Sequence, residues 1–149
     1  MKHLTYLSLF IFLGTFCHSC TNDDSNPDPN HPTQIQNIVQ GADWVITKMV
    51  DSGQDETSDF QGFVFRFETN GDLVSTNGTQ TYTGTWSVTQ SGSNDDEMDD
   101  VDFNIFFNET NSFEDLNDDW DVVEVTNNKI ELMDISGGNG GTDFLTFEK

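Results

Sequence analysis

The chain has 149 residues and is strongly acidic, with 27 aspartate and glutamate residues against five lysine and arginine residues and a formal charge of −22. This balance excludes nucleic acid as a partner, because phosphate contacts require clustered lysine and arginine side chains. It also excludes electrostatic attachment to an anionic bilayer, and it favours divalent cations over anionic ligands.

The N-terminus predicts export. An apolar run from Leu4 to Phe16 is about as long as a signal-peptide core and shorter than the ~20 residues of a spanning helix. Cys20 follows Ser19 and precedes a polar stretch. This arrangement resembles a bacterial lipoprotein signal, whose cysteine becomes the acylated first residue of the mature chain. We therefore predict a signal peptide over residues 1–19, lipid attachment at Cys20 and an outer-membrane lipoprotein of the cell envelope.

Two other interpretations of this region remain. Ordinary secretion would cut before Cys20 without lipid attachment. A zinc or redox site built on Cys17, His18 and Cys20 would supply at most three ligands and would lie inside the export signal. After cleavage the mature chain keeps Cys20 as its single cysteine, so no disulfide can form within it and the fold must depend on its core.

Residues 20–33 predict a flexible tether, because they contain three prolines and several Asn and Asp residues and so cannot bury an apolar face. Asp23 and Asp24, shortly after the cysteine, resemble the surface-export signals of lipoproteins in the Bacteroidota. That resemblance implies an outward-facing domain, whereas a spacer that is only soluble is the alternative. Without the leader, the formal charge is 4 − 27 = −23.

Histidine is missing from the predicted folded part, residues 34–149. His3 and His18 leave with the leader, and His31 lies in the tether. Without imidazole or thiol groups, Ser-His-Asp and Cys-His catalysis and histidine-ligated metal sites are excluded. A pair of carboxylates is the hydrolytic machinery that remains. In so acidic a chain some carboxylates will always lie close together, so such a pair is little evidence for catalysis. We therefore predict no catalytic residues and a protein that is not an enzyme.

The sequence of the predicted folded part indicates mostly β-strands. Residues 33–40 are a candidate for a short helix, after which apolar residues alternate with period two. Tight Asn-rich and Gly-rich turns separate eight candidate strands, which span residues 44–51, 62–68, 72–76, 81–89, 101–107, 120–126, 129–135 and 143–149.

The turns set which side chains share a face. Asn70-Gly71 favours a two-residue type I′ turn, which would pair Phe67 with Val74 and place Val74 on the phenylalanine face. Bringing Tyr82 to that face then requires Val74 opposite Tyr82, and hence an odd-numbered loop around Asn77-Gly78.

We predict a mainly β domain, an antiparallel eight-stranded meander barrel with a short N-terminal helix, because closure removes exposed strand edges. An open, strongly curved sheet capped by the helix is the alternative. The inward-facing residues, which line a ligand cavity or fill the core, are predicted to be Trp44, Phe63, Phe65, Phe67, Val74, Tyr82, Trp86, Phe103 and Ile105.

Several short motifs resemble the lipocalin-like domains of small cell-envelope lipoproteins in the Bacteroidota. They are Gly41 with Trp44, the stretch from Phe63 to Leu73, Gly84 to Trp86, Leu116 to Val122, Ile130 to Leu132, and the final FLTFEK. The chain departs from the lipocalin pattern in reading Gly-x-x-Trp and in having no arginine near its end to stack on that tryptophan. The resemblance implies a barrel that binds a small apolar molecule or an envelope protein.

Candidate binding residues remain open at this point. The aromatic face could line a pocket, or it could fill a small barrel completely. Trp120 could be a contact or sugar-stacking residue, or part of the core. Calcium is the one cofactor that the composition allows; Asp115, Asn117 and Asp119 have suitable spacing for it, although Trp120 stands where an EF-hand needs glycine. Solvated acidic loops are the alternative.

Overall fold

The computed structural model describes residues 31–90, 101–135 and 141–149. Within these ranges, helix α1 (Pro32–Val39) precedes nine strands and two single-turn 3-10 helices, Thr57–Phe60 and Glu114–Leu116. The strands are β1 (Asp43–Asp51), β2 (Gln54–Asp55), β3 (Val64–Phe67), β4 (Asp72–Thr76), β5 (Thr81–Gln90), β6 (Val101–Phe107), β7 (Asp118–Val125), β8 (Lys129–Asp134) and β9 (Asp143–Glu148). Among the residues described, no helix has both the length and the hydrophobicity needed to cross a bilayer.

The strands form a closed antiparallel barrel. Strands β3 to β9 pair in chain order, and β1 pairs with both β3 and β9, so eight strands complete the ring. The two-residue strand β2 folds back on the end of β1, outside this ring. The predicted fold class, an eight-stranded antiparallel meander barrel with one short helix, is confirmed, and the open sheet is excluded.

Helix α1 begins two residues before the predicted domain boundary. Pro32 occupies its first turn and His31 caps it, with His31 Nδ1 accepting a hydrogen bond from the Thr33 backbone N–H at 3.4 Å. Proline suits this position because the first backbone N–H groups of a helix have no intrahelical acceptor. The predicted leader, Cys20 and most of the predicted tether lie outside the described residues.

The hairpin at Asn70-Gly71 differs from the prediction. Phe67 pairs with Leu73, not with Val74. The Gly71 N–H donates to the Glu68 carbonyl at 3.1 Å, and Gly71 alone in the turn has a positive φ, of 89°. This is a three-residue type I turn followed by a glycine bulge, which the same Asn-Gly pair also suits. Val74 therefore shares the outward face with Arg66, and its assignment to the core is wrong.

The next hairpin also differs from its prediction, and the second error compensates for the first. Thr76 pairs with Thr81, which leaves four loop residues, an even number. Ser75, not Val74, lies opposite Tyr82 and is fully buried. Because one register shift cancels the other, Tyr82 and Trp86 still face the interior as predicted.

Irregularities elsewhere keep the apolar residues inside. A bulge between Ile46 and Lys48 in β1 breaks the strict alternation, so that Ile46 and Met49 are both buried. Gly84 faces inward opposite Phe107, where an added Cβ would lie 2.3 Å from the Phe106 carbonyl oxygen. Only glycine permits such a close approach of neighbouring backbone.

Candidate functional site

The barrel interior is built of aromatic rings. Trp44, Phe65, Phe67 and Phe103 are fully buried. Phe67 contacts three other rings edge-on, with centroid distances of 5.2 Å to Trp86, 5.4 Å to Phe103 and 5.5 Å to Phe147. All the residues predicted to face inward except Val74 do so, namely Trp44, Phe63, Phe65, Phe67, Tyr82, Trp86, Phe103 and Ile105.

One end of the barrel is closed by Phe113, in the connection between β6 and β7. Its ring centroid lies 4.3 Å from that of Tyr82, 5.0 Å from Phe107 and 5.1 Å from Phe63. The ring of Phe60, in the first 3-10 helix, lies 5.6 Å from Phe113 and is equally buried. The sequence analysis missed both phenylalanines, because they lie outside the strands and take no part in the period-two pattern.

Helix α1 closes the other end. Ile35 and Val39 are fully buried. The indole Nε1–H of Trp44 donates to the Val39 carbonyl at 2.9 Å, and the Gln36 side chain donates to the Val88 carbonyl at 3.4 Å. The helix therefore packs across the start of β1 and the end of β5.

Trp120 belongs to the core. It is 1% exposed, and its Nε1–H donates to the Leu116 carbonyl at 3.0 Å. The two alternatives for Trp120 are thereby resolved in favour of packing, and a sugar-stacking role is excluded for it.

The three residues predicted to bind calcium do not form a set. The Asn117 amide bonds to the backbone of Phe107, accepting from its N–H and donating to its carbonyl. Asp119 pairs with Asn104 in the sheet. Asp115 lies instead close to Asp51 and Glu56, whose carboxylate oxygens fall with its own within 4.8 Å of one another.

This group of Asp51, Glu56 and Asp115, here called the acidic cluster, has unfavourable electrostatics. Desolvation raises the pKa of Glu56, and repulsion from Asp115 and Asp51 raises it further. Desolvation and the charge of Asp51 likewise raise the pKa of Asp115. Glu56 Oε2 is buried without a hydrogen-bond partner. Carboxylates in this arrangement could hold a hard divalent cation such as calcium.

A second feature lies on the outer face of β5 and β6. Phe106 is 54% exposed and lies in a surface groove of about 530 Å³. We call it the Phe106 groove; its lining includes Thr85, Ser87, Asn104, Phe106, Asn117 and Asp118. Thr85 pairs directly with Phe106, and Ser87 with Asn104, so the ordered sheet holds these side chains in place.

Asp118 borders this groove at the start of β7, but it pairs with the buried Ile105, so its side chain lies on the inward face of the sheet. Burial raises its pKa to about 6, and repulsion from Asp134 and Asp119 acts in the same direction. Asp118 Oδ1 accepts the backbone N–H of Asp119 at 2.9 Å. The groove therefore combines an exposed ring with neutral polar side chains, and Asp119, which pairs with Asn104, adds a carboxylate on the same outward face.

Comparison with known proteins adds no relative to this description: no family model, no curated protein and no solved structure matches the chain. The class that the described residues define is a small, closed, antiparallel eight-stranded barrel with an aromatic interior.

Proposed function

We propose that this protein is a lipid-anchored, non-enzymatic interaction module of the cell envelope, which engages its partner on the outside of the barrel. The observation that carries the proposal is the aromatic filling of the interior. Rings from four strands contact one another at centroid distances of 5.2–5.7 Å around Phe67 and Trp86, and Phe113 closes the layer next to them.

The alternative is a lipocalin-like carrier that encloses a small apolar molecule. Such a pocket usually needs a concave cavity of several hundred Å³. Here Phe113 and α1 lie at the two ends of the barrel, and the described inward-facing rings contact one another between them. A filled interior leaves the outer surface as the place for recognition, and the Phe106 groove is a concave part of that surface.

The anchor in this proposal is an acylated Cys20, for which the sequence supplies the argument: an apolar leader, a small residue before the cysteine and a polar tether behind it. The resemblance to lipocalin-like lipoproteins of the Bacteroidota supports the same location. With a formal charge of −22, the protein is repelled by anionic lipid head groups, so acyl chains would have to provide the membrane contact.

Mass spectrometry of the protein purified from its native membrane tests both parts of the proposal. We expect acylation at Cys20 and no retained small molecule. A Cys20→Ser variant should lose the added mass and separate from the membrane. An unmodified mature chain that high salt releases from the membrane would disprove the anchor.

A dye-binding experiment tests the filled interior. The wild-type protein should not bind an apolar fluorescent dye, whereas Phe113→Ala should bind it, because removal of the ring opens a cavity among apolar side chains. This variant shows that the assay can detect a cavity. Saturable one-to-one binding of the dye by the wild-type protein, with weaker binding by Trp86→Ala, would favour the carrier.

A further inference from the structure

Phe106 interrupts the polar face of its own strand. In β6 the inward residues are Val101, Phe103, Ile105 and Phe107, and the outward positions before Phe106 hold Asp102 and Asn104. A third polar residue would continue this alternation, yet a phenylalanine stands there with half of its surface in solvent. Phe106 therefore presents an aromatic contact surface on the outside of the barrel.

Among the residues that the structure describes, no lysine or arginine lines this groove. The sequence contains no lysine or arginine between Arg66 and Lys129, a span that includes all of β4 to β7. The basic residues of the described chain all have contacts elsewhere: Arg66 with Asp43, Lys129 with Glu124 and Glu131, Lys48 with Phe144 and Lys149 with Trp44.

The groove therefore combines an aromatic face with negative charge. Asp119 pairs with Asn104, so its carboxylate lies on the outward face of the sheet with Phe106, whereas Asp118 pairs with the buried Ile105 and its side chain lies on the inward face. An anionic ligand would meet repulsion here, whereas a cation can lie over the negative face of the Phe106 ring on the same face as the Asp119 carboxylate.

We propose that the Phe106 groove docks a basic segment of a partner polypeptide, with a lysine or arginine side chain over the Phe106 ring and its charge facing Asp119 on the same outward face. This inference rests on the proposed function, because it names the kind of partner that binds outside the barrel. Thr85 and Ser87 would meet the polar backbone of that segment.

A neutral glycan is the competing occupant, because sugars also bind aromatic rings beside hydroxyl and amide groups. It is less favoured here for two reasons. The Asn104 amide already donates to Thr89 Oγ1 at 3.0 Å, and a glycan makes no use of the charge that dominates this surface. The two occupants differ in how salt affects their binding, since only the basic segment depends on charge.

The test is a calorimetric titration of the purified full chain with a synthetic Arg-Gly-Arg-Gly-Arg peptide at low and at physiological salt. Phe106→Ala should weaken binding about 2- to 30-fold, the range expected from losing a cation–π contact of roughly 0.5–2 kcal/mol. Phe106→Trp should bind at least as tightly as the wild type, because tryptophan is the strongest cation–π partner.

The matched control is Val123→Ala. Val123 is 49% exposed on β7, lies outside the groove lining, and its replacement leaves the charge unchanged. It should bind the peptide like the wild type.

Equal affinity of Phe106→Ala and wild type would overturn the proposal, because binding would then depend on net charge alone. Salt-independent binding of maltohexaose at Phe106, without peptide binding, would overturn it in favour of a glycan. If the protein is acylated and does not bind the dye but also fails to bind the peptide, only the docking site is disproved and the proposed function stands. If an apolar molecule co-purifies with the protein, the proposed function is disproved, whether or not the peptide binds.

Discussion

The ammonium nitrogen of Lys149 lies 4.3 Å from the centroid of the Trp44 ring. Trp44 is fully buried, and its Nε1–H donates to the Val39 carbonyl at the end of α1. One indole ring thus connects α1, β1 and the residue that follows β9. The sequence analysis looked for an arginine in this role and found none; a lysine provides the cation instead.

Replacing Lys149 should reveal this contact. We expect Lys149→Met to lower the free energy of unfolding by about 0.5–1 kcal/mol, because methionine keeps an apolar stem over the ring but loses the cation. Lys149→Arg should keep the wild-type stability. Urea unfolding at low salt, followed by tryptophan fluorescence, measures both variants. Equal stability of the methionine variant and the wild type would mean that only the stem matters.

The turn between β3 and β4 yields a second prediction. Gly71 has a φ of 89° and Asn70 does not have a positive φ. Gly71→Ala should therefore lower the stability by about 1–2 kcal/mol, the usual penalty for a left-handed L-residue. Asn70→Ala should cost less than about 1 kcal/mol, since it removes only the side-chain bonds to Asp72. Thermal unfolding of the two variants gives the order, and equal losses would instead indicate the type I′ turn.

That turn shows what the sequence can and cannot predict about the barrel. Period-two alternation identified the strands and nearly all the inward residues, because it depends only on the pleat of each strand. The register across a turn was not predictable, since Asn-Gly fits two turn types that differ by one residue. Long-range packing decides between them: here Leu73 and Ser75 are buried, and Val74 is not.

The candidate sites were harder to predict than the fold. Phe113 and Phe60 close the barrel from loops, where no periodicity marks them. Asp51 and Glu56 meet Asp115 only because the β1–β2 hairpin and the second 3-10 helix lie at one end of the barrel. The outward position of Phe106 could have been predicted from the sequence, because the alternation of side chains in β6 places it on the outer face.

The acidic cluster should destabilise the protein at neutral pH. The folded-state pKa of Glu56 is raised above its ordinary value by desolvation and then by Asp115 and Asp51, so stability is lost as the pH rises and the carboxyl ionises. We expect Glu56→Gln to raise the melting temperature at pH 7 and to have little effect near pH 4. Scanning calorimetry at both pH values measures this, and a destabilised variant at pH 7 would contradict it.

The same variant tests calcium. If the three carboxylates hold the cation, millimolar CaCl₂ should raise the melting temperature of the wild type by mass action and should have a much smaller effect on Glu56→Gln. Sodium chloride at matched ionic strength separates binding from screening. An equal response of the two proteins to calcium would leave the cluster without a metal-binding role.

Asp118 makes the stability of the protein depend on pH. Burial raises its pKa to about 6 from the model-compound value of 3.8, so between these values the folded state holds a proton that the unfolded state has released. Stability therefore falls as the pH rises through this window, and the loss is complete above about pH 6. Because Asp118 is only partly buried and solvent screens its charge, we expect Asp118→Asn to gain only about 1 kcal/mol at pH 7.5 and nothing at pH 4. Urea unfolding across this range measures the difference.

Asp119→Asn is the matched control, since it removes a neighbouring exposed carboxylate and should give a smaller gain in stability that depends less on pH. The same Asp119→Asn variant should weaken the binding of the arginine peptide, because Asp119 lies on the outward face with Phe106, and unchanged affinity would remove Asp119 from the docking site.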